Sequence, residues 1–127
     1  MVTDTFYKFV DAINEHQIDK IYALMTVEHC FVDAQGNTII GNDKMKHGWD
    51  GYFQLFPDCK IEISDIFIDG MTIAAFGFAG GTYKNLHSFR TPAAWKVIVE
   101  DEKIKLWQVY ADTKIPFDLM ENNQETP

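Results

Sequence analysis

Residues 89–112 show an alternation of apolar and polar positions that predicts a long β-hairpin. One arm runs from about Ala93 to Val99 and the other from about Ile104 to Asp112, with the acidic residues 100–102 as the turn. The two-residue period of a strand gives the first arm an apolar face that consists of Ala93, Trp95, Val97 and Val99.

The second arm predicts one wall of a tapered pocket. The same period gives it a face that is apolar near the turn and polar at its far end, made of Ile104, Leu106, Gln108, Tyr110 and Asp112. We expect Asp112 to act as the acid or base at the polar end. Tyr110, Gln108 and Trp95 would orient the substrate on the same wall. The opposite face, with Trp107, Val109 and Ala111, would form an apolar stripe at a dimer interface.

The first 25 residues predict two helices. Apolar side chains at helical spacing indicate one helix from about Thr3 to Glu15 and a shorter one from Ile18 to about Met25. A short strand is predicted at 27–33, with Phe31 and Asp33 on one face. A turn then precedes a return strand at 38–40.

A third helix is predicted from Asn42, its expected N-cap, to about Leu55. Its apolar stripe includes Trp49 and Phe53, which we expect in the pocket wall. Gly48 and Gly51 lie inside this helix, although each mid-helix glycine costs about 1 kcal/mol relative to alanine. They indicate close packing, which we favour, or room left for a ligand.

A second hairpin is predicted at 60–83, with its turn at Asp69-Gly70. Its return strand places Phe76 and Phe78 on one face, which we assign to the pocket. The glycines at 77, 80 and 81 indicate a bend or a β-bulge. Residues 84–91 are predicted to form a polar loop.

Composition narrows the possible partners. The chain has 127 residues, of which 46% are hydrophobic and 14% aromatic, and a net charge of −8. This indicates a single domain at 1–127 with a disordered tail at 121–127, and it disfavours nucleic acid and anionic membranes as partners. No apolar run reaches the roughly 18 residues of a membrane span, so we expect a cytoplasmic protein. Cys30 and Cys59 should be free thiols, and the absence of metal-ligand or phosphate-loop motifs predicts no metal and no cofactor.

The order of these elements predicts an α+β fold in which helices pack on one face of a curved sheet. The chain resembles the NTF2-like superfamily and, within it, the SnoaL-like proteins. The resemblance is carried by FVDAINEHQIDKIYALMTVEHCFVD, WDGYFQLFPD and PAAWKVIVEDEKIKLWQVYAD in this order. It implies a cone-shaped, mainly antiparallel sheet wrapped around the N-terminal helices. It does not imply one reaction, because the superfamily includes isomerases, cyclases, dehydratases, epoxide hydrolases and proteins without catalysis.

The resemblance also implies roles for individual residues. In the ketosteroid isomerase branch it places Asp33 at the position of the catalytic base. The tyrosine of the oxyanion hole falls on Phe9, and its second acid falls on Ala94 or Trp95, so both donors are missing. In the polyketide cyclase branch, Asp112 matches an aspartate late on the last long strand that serves as acid and base.

Two functions remain open. One is a small cofactor-independent enzyme that transfers a proton on an apolar, carbonyl-containing molecule, with Asp112 and Asp33 as its carboxylates. The other is a module that binds a small ligand or forms dimers without catalysis. A homodimer is expected in either case. The predicted pocket also includes the aromatic residues Trp49, Phe53, Phe31, Phe76, Phe78 and Trp95. Burial among them would raise the pKa of Asp112.

Overall fold

The computed structural model describes residues 2–83 and 87–112. In this part of the chain the elements are α1 (Val2–Asn14), α2 (Ile18–Ala23), β1 (Met25–Val32), β2 (Thr38–Ile40), α3 (Asn42–Leu55), β3 (Lys60–Asp69), β4 (Thr72–Tyr83), β5 (His87–Glu100) and β6 (Lys103–Ala111). The predicted disordered tail lies outside the described residues, as do positions 84–86 of the predicted loop. Residues 87–91 were predicted as loop and instead belong to β5, where each pairs with β4.

The strands form one six-stranded sheet in the order β2-β1-β6-β5-β4-β3. The β1–β6 pair is parallel, and the other neighbouring pairs are antiparallel. The β5–β6 hairpin therefore occupies the centre of the sheet, and the helices follow the predicted order. The predicted α+β class is confirmed.

The core lies between α1 and the inner face of the sheet. The buried face of α1 presents Phe6, Phe9 and Ile13, the helical spacing that the sequence showed. Ring centroids of Phe6 and Phe9 lie 6.0 and 4.9 Å from that of Trp107. Trp107 is only 1% exposed, so the central hairpin is attached to α1 through this side chain.

A β-bulge in β6 decides which side chains face this core. Val99 pairs with Ile104 and Ile98 pairs with Leu106, so Lys105 is an extra residue in β6. One extra residue reverses the alternation beyond it. Trp107, Val109 and Ala111 consequently face inward, and Gln108 and Tyr110 face outward. The prediction that Gln108 and Tyr110 share the inner wall, with Trp107 outside, is wrong for this reason.

A second bulge lies between Ile63 and Asp65 in β3, opposite Gly77. A Cβ atom at Gly77 would overlap the carbonyl oxygen of Glu62, so this close approach requires glycine. The bend or bulge that the sequence analysis predicted from the glycines at 77, 80 and 81 is therefore found at Gly77. Phe76 and Phe78, however, point away from the core. Phe76 is 46% exposed, and the guanidinium of Arg90 lies 3.7 Å from the ring centroid of Phe78.

Candidate functional site

A cavity of about 370 Å³ opens between the inner face of the sheet and α3. This volume falls in the range of small-molecule pockets. Its polar lining consists of Asp33, Lys60, Thr91 and Asp112, together with the Tyr52 phenol and the Cys59 thiol. The remaining wall is apolar and mostly aromatic, and includes Phe31, Trp49, Phe56, Phe89, Trp95 and Trp107. All three tryptophans of the sequence therefore line this cavity.

The structure brings together five of the residues that the sequence assigned to a site. Asp33, Asp112, Phe31, Trp49 and Trp95 all line the cavity. Gln108, Tyr110, Phe76 and Phe78 do not, because they point to the outer face of the sheet.

Phe53 is also absent from the cavity lining, although it is buried. Its ring stacks on the imidazole of His16, with centroids 4.1 Å apart and planes 8° from parallel. The Nε2 atom of His16 lies 2.9 Å from the carbonyl oxygen of Cys59 and donates to it. Phe53 thus packs behind the cavity, where it helps to join the end of α1 to the start of β3.

Several lining residues were not predicted from the sequence. Trp107, Val109 and Ala111 were assigned to the outer face, and the bulge at Lys105 turns them inward. Tyr52 follows Trp49 by three positions in the apolar stripe of α3, so helical spacing alone could have identified it. Thr91 lies in the segment that was predicted to be a loop.

Asp33 follows the end of β1 and holds the turn that leads to β2. Its Oδ1 atom accepts hydrogen bonds from the backbone N–H groups of Gln35 and Asn37, each 2.9 Å long. This is an Asx turn, a common use of aspartate at such a position. The turn orients the carboxylate at the edge of the cavity and engages Oδ1.

Asp112 follows the end of β6 and is exposed, although it reaches the cavity lining. Its backbone carbonyl accepts a hydrogen bond of 3.3 Å from the buried Thr91 hydroxyl. The expectation that aromatic rings bury this carboxylate is wrong, because Asp112 lies just past the end of β6 and is exposed. The carboxylate is placed at the solvent side of the cavity.

Burial affects two other polar groups of the wall. Desolvation raises the pKa of the Tyr52 phenol, with a smaller contribution from the charge of Cys59, so this phenol stays protonated. Desolvation, and secondarily Asp58, raises the pKa of the Cys59 thiol to about 12. A thiol with this pKa is not a nucleophile near neutral pH, because the thiolate is the reactive form. Both cysteines are free, as predicted.

Two buried ring nitrogens have no hydrogen-bond partner among the described residues, namely Trp49 Nε1 and His29 Nε2. The Nδ1 atom of His29 lies 2.8 Å from the carbonyl oxygen of Ile104, which can only accept. His29 therefore carries its proton on Nδ1, and its Nε2 is an acceptor. Only Trp49 of the two lies in the cavity wall.

Over residues 2–83 and 87–112, no three His, Cys, Asp or Glu side chains lie close enough together to hold a metal ion. None of the helices described there is long and apolar enough to cross a membrane.

The family assignment follows from the sequence match. The profile of the SnoaL-like domain family matches residues 6–107, which include every element from α1 to most of β6. The chain therefore belongs to the SnoaL-like domain family. No curated protein matches it.

Solved structures agree with this assignment at the level of the fold. A protein of ketosteroid isomerase-like fold from Catenulispora acidiphila, solved with trimethylamine, has a TM-score of 0.77 at 18% identity, over 84% of this chain and 83% of that one. TerC co-crystallised with polyporic acid has a TM-score of 0.83 at 14% identity, over 94% of this chain and 98% of that one. An epoxide hydrolase of the LEH-like type from M. tuberculosis has a TM-score of 0.81 at 16% identity, over 95% of this chain and 90% of that one. The chain thus has the α+β cone of NTF2-like proteins.

Proposed function

We propose that this protein is a cofactor-independent enzyme that transfers a proton on an apolar, carbonyl-containing small molecule. The observation that supports this most directly is the placement of Asp33 and Asp112 at the edge of a cavity whose interior is apolar and aromatic. An apolar interior binds the carbon skeleton, and a carboxylate at its edge can accept a proton.

Asp112 is the main acid and base in this proposal. Its carboxylate takes a proton from a carbon next to the carbonyl group, and the electron pair of the C–H bond moves onto the carbonyl oxygen to give an enolate. Return of the proton to another carbon gives an isomer, and attack of the enolate on a second carbonyl gives a ring. Asp33 has one oxygen engaged by its turn, so only Oδ2 is left to help hold the substrate.

The structural neighbours support a small molecule as the ligand. One was solved with trimethylamine and another with polyporic acid, and a third is an epoxide hydrolase. Because all are less than 25% identical to this chain, they support the class of ligand and not a particular reaction. The distribution of aromatic residues in the cavity favours a ligand with a ring.

The second candidate function is a binding module without catalysis. It is favoured by the engagement of Asp33 in its own turn and by the exposure of Asp112, since an exposed carboxylate is solvated. The cavity itself is open and not filled by Trp49, Phe53 and Trp95, so a small ligand is expected with either function.

Exchange of a ketone's C–H hydrogens with solvent deuterium distinguishes the two functions. The protein is incubated with 2-tetralone in D₂O, and loss of the signal of the hydrogens next to the carbonyl is followed by proton NMR. We expect exchange above the buffer rate, and Asp112→Asn should reduce it about a hundredfold, the usual contribution of a general base. Asp65→Asn is the matched control, because Asp65 is exposed on β3 and does not line the cavity.

Each outcome has one interpretation. Accelerated exchange that is lost in Asp112→Asn and kept in Asp65→Asn supports the enzyme. Binding of 2-tetralone without exchange supports the module. Accelerated exchange that Asp112→Asn leaves unchanged would show that another group is the base.

A further inference from the structure

The proposed reaction needs a hydrogen-bond donor in the cavity wall. Removal of a proton next to a carbonyl group places negative charge on the carbonyl oxygen, and a donor aimed at that oxygen stabilises it. The sequence placed the phenol of Tyr110 beside the substrate, but the bulge at Lys105 turns Tyr110 to the outer face of the sheet, where it is 51% exposed. The donor must therefore come from another element.

Tyr52 supplies a phenol from the opposite wall of the cavity, which is formed by α3. It lines the cavity together with Met45, Gly48, Trp49 and Leu55, at the three- and four-residue spacing of one helix face. Exposure rises along this face, from 4% at Met45 and 6% at Trp49 to 37% at Tyr52 and 41% at Leu55. Tyr52 thus lies where the buried interior meets the open end of the cavity, and a ligand can reach its side chain.

The hydroxyl of Tyr52 is free to donate. No hydrogen bond joins it to any of the described residues. Protein nevertheless surrounds it, because desolvation raises the pKa of the phenol above the ordinary value of 10, and the Cys59 thiol contributes secondarily. Cys59 also lines the cavity, so this electrostatic interaction places the hydroxyl on the cavity side of α3. The phenol therefore keeps its proton near neutral pH and remains a donor.

Three aromatic neighbours on the same helix hold the ring of Tyr52 in place. Its centroid lies 5.0 Å from that of Phe56, 6.1 Å from that of Trp49 and 6.5 Å from that of Phe53. A donor whose side chain is already fixed loses little conformational entropy when a ligand binds. The packing of α3 thus favours a preorganised phenol.

Gly48 leaves room beside this phenol. It precedes Tyr52 by four positions, and a helical side chain leans toward the preceding turn, so the Tyr52 ring lies over the turn that contains Gly48. A Cβ atom at position 48 would meet only the flexible end of Met45, at 3.4 Å, and the φ of Gly48 is not positive. Neither backbone conformation nor close packing requires glycine here, so the absence of a side chain adds to the cavity. The predicted close packing at Gly48 is thus not observed.

We propose that Tyr52 donates its phenolic hydrogen to the carbonyl oxygen of the substrate, and that Gly48 provides the space in which the carbonyl-bearing ring lies against α3. This inference rests on the proposed function and names its substrate class, a compact ring ketone. The cavity of about 370 Å³ has the volume of roughly a dozen water molecules in the liquid, which corresponds to a ligand of about a dozen non-hydrogen atoms.

Other donors in the wall are less suited to this role. The indoles of Trp49, Trp95 and Trp107 belong to side chains that are at most 6% exposed, which leaves little surface for a ligand atom. The hydroxyl of Thr91 already donates to a backbone carbonyl. Lys60 is exposed at the rim, where water solvates its ammonium group. The phenol alone combines access from the cavity with a protein surrounding.

A binding experiment tests the inference without depending on catalysis. Affinities of 2-tetralone and of the hydrocarbon tetralin are measured by calorimetry for the parent protein and for Tyr52→Phe, Tyr110→Phe and Lys60→Met. The two ligands have the same ring system and differ in the carbonyl oxygen. Tyr52→Phe should weaken 2-tetralone binding about three- to tenfold more than tetralin binding, the equivalent of one neutral hydrogen bond.

Tyr110→Phe is the matched control, since it removes the same oxygen atom from the outer face of the sheet. It should leave the affinities of both ligands unchanged. Equal changes for the two ligands in Tyr52→Phe, or no change in either, would overturn the inference. A selective loss of 2-tetralone binding in Lys60→Met, without one in Tyr52→Phe, would also overturn it and would assign the role to the ammonium group.

A second pair of variants tests the space at Gly48. Gly48→Ala should weaken binding of both ligands at least about threefold, because the methyl group enters the cavity. Gly51→Ala should leave binding unchanged, since nothing lies within 4 Å of its Cβ position and Gly51 does not line the cavity. Unchanged binding in Gly48→Ala would refute the role of Gly48.

Failure of the proposed function gives a different result. If 2-tetralone binds and the Tyr52 selectivity is present, but exchange of the ketone's hydrogens is not accelerated, the site recognises carbonyl compounds without catalysis. If exchange is accelerated and the selectivity is absent, the enzyme is real and Tyr52 is not its donor.

Discussion

At the scale of single residues, His29 shows how a buried polar group links stability to pH. It is fully buried, and its Nδ1–H donates to the carbonyl of Ile104. Desolvation lowers the pKa of His29 below its ordinary value of 6.5, and the backbone hydrogen bond opposes this only in part. The folded protein therefore keeps His29 neutral at pH values where the unfolded chain is protonated.

We expect the free energy of unfolding to fall as the pH drops below about 6.5. The unfolded state then binds a proton that the folded state does not. The free energy of unfolding therefore decreases by up to about 1.4 kcal/mol for each pH unit below this value. Urea denaturation at pH 7.5, 6.5 and 5.5 measures this. His29→Gln should flatten the dependence, and His47→Gln should not, because His47 is exposed. An equally steep dependence in His29→Gln would contradict the assignment.

At the scale of elements, the two bulges control the shape and the lining of the cavity. The bulge at Lys105 turns Trp107 inward, and the one near Ser64 brings β3 against β4 at Gly77. Both depend on pairing between strands, and the second depends on a residue without a side chain. The glycines of the chain can therefore be divided into those that the backbone requires and those that it does not.

Gly77→Ala should destabilise the protein by at least about 1–3 kcal/mol, because the added methyl group would overlap the backbone of Glu62 and force the strands apart. Gly51→Ala is the opposite case and should stabilise it by up to about 1 kcal/mol, since α3 gains helix propensity without a clash. Nothing in the structure explains glycine at position 51. Chemical denaturation of both variants measures the two effects, and a Gly77→Ala protein as stable as the parent would show that the strands separate at no cost.

At the scale of the whole molecule, an apolar row crosses the outer face of the sheet. Phe76 pairs with Ala94, which in turn pairs with Tyr110, so the three form a continuous row across β4, β5 and β6. Phe67 is 64% exposed, and its ring centroid lies 6.0 Å from that of Phe76. Exposed apolar surface of this kind is unfavourable in an isolated chain.

We propose that a second copy of this chain covers the row and that the protein is a homodimer. A two-fold axis through the row would bring the same residues of both copies together, which an apolar and uncharged stripe permits. This row differs from the apolar stripe predicted from the sequence, because Trp107, Val109 and Ala111 lie on the inner face of the sheet. Light scattering should give twice the chain mass, and Phe76→Glu should shift it toward one chain mass.

Tyr7→Glu is the control for this prediction, since Tyr7 lies on α1, on the other side of the sheet, and is also exposed. It should leave the dimer intact. A parent protein of one chain mass at micromolar concentration would leave the row available to a different partner and would refute the homodimer.

The sequence by itself determined the order of the elements and most of their extent, apart from residues 87–91 of β5. Helical spacing located α1 and α3, two-residue alternation located the central hairpin, and turn residues located β2. These signals are local, so they do not depend on what a segment packs against. The position of Asp33 and Asp112 at strand ends followed from the same local signals, and both line the cavity.

Only the tertiary structure decided which side chains enter the cavity. The inward face of β6 depends on one extra residue at Lys105, and the pairing with β5 that creates this bulge is not encoded in the alternation of β6 itself. The Phe53 ring lies behind the cavity, where it stacks on the imidazole of His16, 37 positions earlier in the chain. Whether Trp49 has a partner for its N–H depends on every element around it. Residue types and spacing define a strand or a helix, but burial and hydrogen bonding are properties of the packed molecule.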